Sequence, residues 1–90
     1  MSADWLMYVV ECADGSYYTG ITTDITRRLH EHNHTKRGAK YTRGRRPVGL
    51  IYCERYADRS EASKAEAAFK KLNRLQKENF ITQNETGANR

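Results

Sequence analysis

No stretch of the sequence holds eighteen consecutive apolar residues, which excludes a transmembrane helix. The first residues lack the basic region, apolar stretch and small-residue cleavage site of a secretory leader, so no export signal is expected. Cysteine is scarce: Cys12 and Cys53 are the only two, far apart and outside any Cys-x-x-Cys pattern. That spacing argues against a disulfide framework and a cysteine zinc site, and it makes the cytoplasm the expected compartment, with both thiols reduced. Internal repeats and low-complexity tracts are absent as well, leaving one domain at most in 90 residues. Hydrophobic residues make up 38% and charged residues 30%, a balance that fits a folded globular domain better than a disordered chain.

Acid is missing from one segment in particular. From Lys36 to Arg46 the chain carries Lys36, Arg37, Lys40, Arg43, Arg45 and Arg46 and no Asp or Glu. The whole chain has a net charge of +5, and outside this segment acids slightly outnumber bases. Charge this concentrated points to a polyanionic partner. Gly38, Gly44 and Tyr41 are interleaved with the cations, as in a loop that tracks phosphates, so Tyr41 joins the candidate contacts. The plain alternative is a solvated basic loop.

The hydrophobic pattern predicts an α+β domain. Trp5 to Cys12 is apolar and rich in β-formers, a strand buried on both faces. Ser16 to Thr22 is a second strand after the Asp14-Gly15 turn signal. Asp24 caps a helix to about His34, with Ile25 and Leu29 inward. Pro47 closes the basic loop, and Val48 to Tyr56 is a third strand. Asp58 or Ser60 caps a second helix with Ala62, Ala65, Phe69 and Leu72 as its buried stripe. Leu75 to Ile81 is a short last helix, and Thr82 to Arg90 reads as a flexible tail beyond a single domain, 1–81. The order is β-β-α-β-α-α, a three-stranded antiparallel sheet flanked by helices.

The hairpin turn decides which side chains share a face. A two-residue turn at Asp14-Gly15 sets Tyr8 and Tyr18 on opposite faces. A three-residue loop, Ala13-Asp14-Gly15, sets Tyr18 opposite Val10 and Gly20 opposite Tyr8. The two tyrosines then become diagonal neighbours, roughly 7–8 Å apart at the backbone. Gly15 suits the left-handed position of the second arrangement, which is therefore favoured. Gly20 then leaves space beside the Tyr8 ring.

Leu6-Met7-Tyr8, then Tyr18-Thr19-Gly20 ten residues on, then Arg28 and His32 on the following helix, resemble the GIY-YIG nuclease superfamily. The segments TGITTD and GAKYTRGRRPV are similar to its small stand-alone bacterial branch. The first signature departs from the family at Leu6 and Met7, and the second at Thr19, all positions that pack strands. The resemblance implies a metal-dependent endonuclease that hydrolyses phosphodiester bonds, acting on DNA in repair or processing. It implies Tyr8, Tyr18, Arg28 and His32 as catalytic residues and Glu66 as the ligand of one Mg²⁺ or Mn²⁺. DNA is the expected partner and RNA an open alternative. A protein partner could supply specificity, because the family's better understood members take it from an appended domain.

Elementary chemistry agrees with those roles. A planar guanidinium at Arg28 can clamp the scissile phosphate, and Arg27 beside it is the better candidate for a solvated arginine. Tyr8 is the candidate base, provided a nearby cation lowers its ordinary pKa of about 10. His32, one turn after Arg28, can relay a proton. Glu66 alternatively forms a surface pair with Lys70. His30, His32 and His34 cannot converge on zinc, since residues two apart point to opposite sides of a helix. Two further readings stay open: a non-catalytic nucleic-acid-binding module with the same fold, and a protein-interaction adaptor.

Overall fold

The computed structural model describes residues 4–88, with side chains as far as Asn84. Three strands, β1 (Trp5–Glu11), β2 (Tyr17–Thr22) and β3 (Gly49–Tyr56), form one antiparallel sheet in the order β2-β1-β3. Helix α1 (Ile25–His34) follows the hairpin, and α2 (Lys40–Arg43) is a single turn within the basic loop. Helices α3 (Arg59–Lys70) and α4 (Arg74–Ala88) follow β3.

Central strand β1 buries side chains on both faces, as its unbroken apolar run requires. Met7 and Val9 pack with Tyr52 of β3, Phe69 of α3 and Ile81 of α4. Tyr8 and Val10 point the other way, to Cys12, Val48, Tyr18 and the α1 residues Ile25 and Leu29. The sheet is thus sandwiched between α3 with α4 on one side and α1 on the other.

The three-residue turn is the one formed. Gly15 has φ 86°, Val10 faces Tyr18, and Tyr8 faces Gly20. The Asp14 carboxylate accepts from the Ser16 amide and hydroxyl at 3.0 and 2.6 Å, which stiffens the turn. Asp24 and Asp58 cap α1 and α3 by accepting from the amides of Arg27 and Glu61.

Two features depart from the sequence reading. The one-turn α2 divides the loop that was expected to be irregular. Helix α4 begins one residue before Leu75 and continues to Ala88, through most of the segment read as a tail; the last residues of that segment lie outside those described. The helix start is explained by Asn73 and Gln76, which exchange amide-to-side-chain bonds at 2.9 Å in a reciprocal cap. Once started, the helix meets no proline to stop it.

Candidate active site

Tyr8 is the centre of the site. It is 1% exposed, and its hydroxyl lies 2.7 Å from His32 Nε2. The hairpin register sets Gly20 against the ring. A Cβ on Gly20 would stand 2.6 Å from the Tyr8 oxygen and 2.9 Å from Cζ, so only glycine fits there. His32 is buried on α1, held at its other nitrogen by the Thr42 hydroxyl at 3.1 Å and the Ala39 amide at 3.3 Å. Tyr18 meets the His32 ring edge-on, with centroids 5.3 Å apart. Tyr41 stacks on Tyr18 at 6.0 Å, and the Arg45 guanidinium lies 3.9 Å over Tyr41.

Arg28 borders this cluster. Its guanidinium pairs with Glu31 at 3.0 Å and donates to the Arg37 carbonyl at 2.8 Å, both through Nη1. Its charge also favours the ionised form of the Tyr8 hydroxyl. Arg27 is the more solvent-exposed of the two arginines, as expected of the solvated neighbour.

Burial governs the two central titrating groups. Desolvation pushes the Tyr8 hydroxyl up to about 12, and the charge of Arg28 only partly opposes this. Arg28 acts on Tyr8 in the expected direction, and burial outweighs it. Burial, followed by the charge of Arg28, lowers His32 to about 4, so the ring is neutral near pH 7. The resting proton of the pair stays on Tyr8.

Glu66 stands apart from the hydrogen-bonded cluster. Its carboxylate, 22% exposed, pairs with Lys70 Nζ at 2.9 Å, and its charge is the weakest named influence on Tyr8. No group of three or more His, Cys, Asp or Glu side chains is placed to hold a metal among the described residues. A metal here would have one carboxylate and keep most of its water shell, which suits a hard cation such as Mg²⁺. His30 and His34 approach each other on the exposed side of α1, with centroids 4.8 Å apart, while His32 points inward to Tyr8.

The six loop cations divide by position. Lys36, Arg37, Lys40 and Arg43 are exposed. Arg45 is tied to the hairpin through Asp14 at 3.0 Å and to the Tyr41 carbonyl at 2.8 Å. Arg46 turns back onto α1, donating to the carbonyls of His32, Glu31 and Thr35. His32 lies in the last turn of α1 and Thr35 is its C-cap, where carbonyls run out of helical donors, while the Glu31 carbonyl already accepts from the Thr35 amide at 3.2 Å. Arg46 is therefore a cap for α1.

The sequence reading did not single out Ala39, Thr42 or Asn33, and pointed to Gly38 only as part of a phosphate-tracking loop. Asn33 exchanges bonds of 2.7 and 3.0 Å with the Val48 backbone and fixes the entry to β3. Gly38 lies against the backbone of Glu31 and His32. The sole advance signal was a Gly-Ala pair and a small hydroxyl residue set among cations. A separate apolar hollow of about 330 Å³, lined by Met7, Tyr56, Phe69, Leu72 and Phe80, opens on the α3–α4 side of the sheet, away from Tyr8.

A pair of tyrosines from adjacent strands on an inward-facing histidine, edged by an arginine, defines a GIY-YIG-type catalytic domain. The chain belongs to that family: residues 4–79 match the family model described as the GIY-YIG catalytic domain. Among curated relatives, a UPF0213 protein of Desulfotalea psychrophila is 54% identical over 83 residues, covering 92% of this chain and 76% of that one. A UPF0213 protein of Streptococcus pneumoniae is 58% identical over 79 residues, covering 88% and 79%. The solution NMR structure of a protein from E. faecalis aligns with TM-score 0.67 at 52% identity, covering 94% of this chain and 90% of that one. That of a UPF0213 protein from Bacillus halodurans aligns with TM-score 0.59 at 41% identity, covering 89% and 84%.

Proposed function

We propose that this protein is a divalent-metal-dependent endonuclease that hydrolyses phosphodiester bonds in DNA. The observation that carries the reading is the buried Tyr8–His32 pair with Arg28 at its edge, in a chain of the GIY-YIG family. Arg28, held by Glu31 and the Arg37 carbonyl, offers its remaining guanidinium donors to the scissile phosphate. Tyr8 takes the proton of the attacking water. Its own proton must first pass to solvent entering with the substrate; Arg28 favours that loss and burial opposes it. Tyr18 contacts the phosphate or orients Tyr8. Glu66, now paired with Lys70, would hold one Mg²⁺ or Mn²⁺, which would supply charge neutralisation on the phosphoryl oxygens.

Lys36, Arg37, Lys40 and Arg43 contact backbone phosphates, and Tyr41 offers a stacking surface near the tyrosines. These contacts position the chain without reading bases. Selectivity for one DNA structure then comes from a protein partner or from the shape of the substrate, and work in repair or processing within the cytoplasm fits such a small module.

The Glu66–Lys70 pair and the high Tyr8 pKa favour a second reading, a nucleic-acid-binding module without catalysis. Incubation with nicked, branched and single-stranded DNA, and with RNA, with and without Mn²⁺, separates the two. The enzyme cleaves, and Glu66→Ala abolishes cleavage; the module binds without cleaving.

A further inference from the structure

Three features of the turn after α1 meet at one ring nitrogen. The Ala39 amide points at His32 Nδ1 from 3.3 Å. The Thr42 hydroxyl lies 3.1 Å from the same atom. Gly38 brings both there: a Cβ on it would stand 2.6 Å from the Glu31 carbonyl oxygen and 2.8 Å from the His32 Cα. Both obstacles are backbone and cannot rotate away, so the turn reaches α1 this closely only with glycine at 38.

The amide settles the direction of the hydrogen bonds. A hydroxyl proton rotates to suit its surroundings, but a backbone N–H direction is fixed by the chain. The Ala39 N–H requires a lone pair on Nδ1. The Thr42 hydroxyl gives its one proton to the Ala39 carbonyl at 2.8 Å and so anchors the turn that aims the Ala39 amide at the ring. His32 is neutral, kept so by burial and by the charges of Arg28 and Arg46. A neutral imidazole has one N–H, which must then sit on Nε2, 2.7 Å from the Tyr8 oxygen.

We propose that the Gly38–Thr42 turn is a positioning element that holds His32 with its proton on Nε2, so that His32 donates to Tyr8 and the Tyr8 oxygen is the acceptor. The inference rests on the reading of this cluster as the active site. In that site His32 is the donor toward the phenol oxygen, and the nearby charge of Arg28 also favours loss of the Tyr8 proton. His32 stabilises the ionised form of Tyr8, and Tyr8 receives the proton of the water. Ala39 and Thr42 act through His32 and touch no substrate. The opposite arrangement, Nδ1–H to Thr42 and Tyr8 O–H to Nε2, would set the Ala39 N–H against another N–H.

Long-range proton–nitrogen correlation spectra of the ring-labelled protein at pH 7, without nucleic acid, read the tautomer directly. The expected wild-type result is a protonated Nε2 and an unprotonated Nδ1. A proton found on Nδ1 overturns the proposal. Thr42→Val keeps the volume and removes the bond that anchors the turn at Ala39; by loosening the amide's hold on Nδ1 it should shift the tautomer ratio about fivefold toward Nδ1–H, the worth of one hydrogen bond. Thr42→Ser should restore the wild-type pattern. An unchanged ratio in Thr42→Val overturns the role given to Thr42. The wild-type spectrum decides the tautomer even if a variant fails to fold. Because no DNA is involved, a protein that never cleaves overturns the proposed function and leaves this result standing, and the converse also holds.

Discussion

Replacing Gly20 by alanine tests whether the hairpin register builds the site. The added Cβ would meet the Tyr8 oxygen at 2.6 Å, Cζ at 2.9 Å and Cε2 at 3.1 Å. Tyr8 is buried, and its hydroxyl is held by His32, so the ring cannot swing outward without breaking that bond. Overpacking a core costs about 1–3 kcal/mol. Losing one buried hydrogen bond adds about 1 kcal/mol. Gly20→Ala should therefore destabilise the domain by about 2–4 kcal/mol. At about 4–8 °C per kcal/mol for a domain of this size, the melting midpoint should fall by at least about 8 °C. The three nearest atoms all belong to Tyr8, so the clash should be smaller in a Tyr8→Phe background, where the closest contact is gone. A double-mutant cycle by thermal and urea unfolding measures this coupling. A loss below about 0.5 kcal/mol, the range of ordinary surface changes, would refute the packing argument.

The remaining predictions concern charge. His32 is lowered in the folded state to about 4 from an ordinary 6.5, so the unfolded chain binds the extra proton. Stability is complete above about pH 6.5 and is lost as the pH falls toward 4, by up to about 3 kcal/mol; urea unfolding from pH 8 to 4 should show this loss, and His32→Gln should lack it. Arg46→Met should cost about 2 kcal/mol of stability, because it strips donors from the end of α1, while leaving the salt dependence of DNA binding unchanged. If Lys36, Arg37, Lys40 and Arg43 each meet one duplex phosphate, log affinity should fall against log salt with a slope of about −3.6. Lys40→Ala with Arg43→Ala should flatten that slope by about 1.8, and an unchanged slope would remove the loop from the interface.

What could be read in the sequence was local or periodic. Gly15 selected the three-residue turn, which fixed the shared face of Tyr8 and Tyr18. The spacing of Arg28 and His32 put both on the site side of α1, and Asp24 and Asp58 marked two helix starts. What could not be read depends on distant parts of the chain meeting. Arg46 looked like its neighbours in a basic run, and only the return of the loop onto α1 makes it a cap. The Tyr8 pKa turns on a balance between burial and one cation, which spacing does not weigh. Thr42 and Ala39 carry no signature, because their role is a contact with a ring on another element. The start of α4 was legible to within one residue, but its continuation to Ala88 was not, because the polar residues after Ile81 carry no apolar period.

Single-turnover cleavage of a labelled panel of nicked, branched and single-stranded DNA in Mn²⁺, by wild type and by Tyr8→Phe, tests the central claim most directly. Phenylalanine keeps the ring against Gly20 and removes only the oxygen held by His32. The account predicts cleavage by wild type and a rate at least about 100-fold lower in Tyr8→Phe, the usual worth of a positioned base. Wild-type protein that binds the panel without cutting any member, or Tyr8→Phe cutting at the wild-type rate, would contradict it.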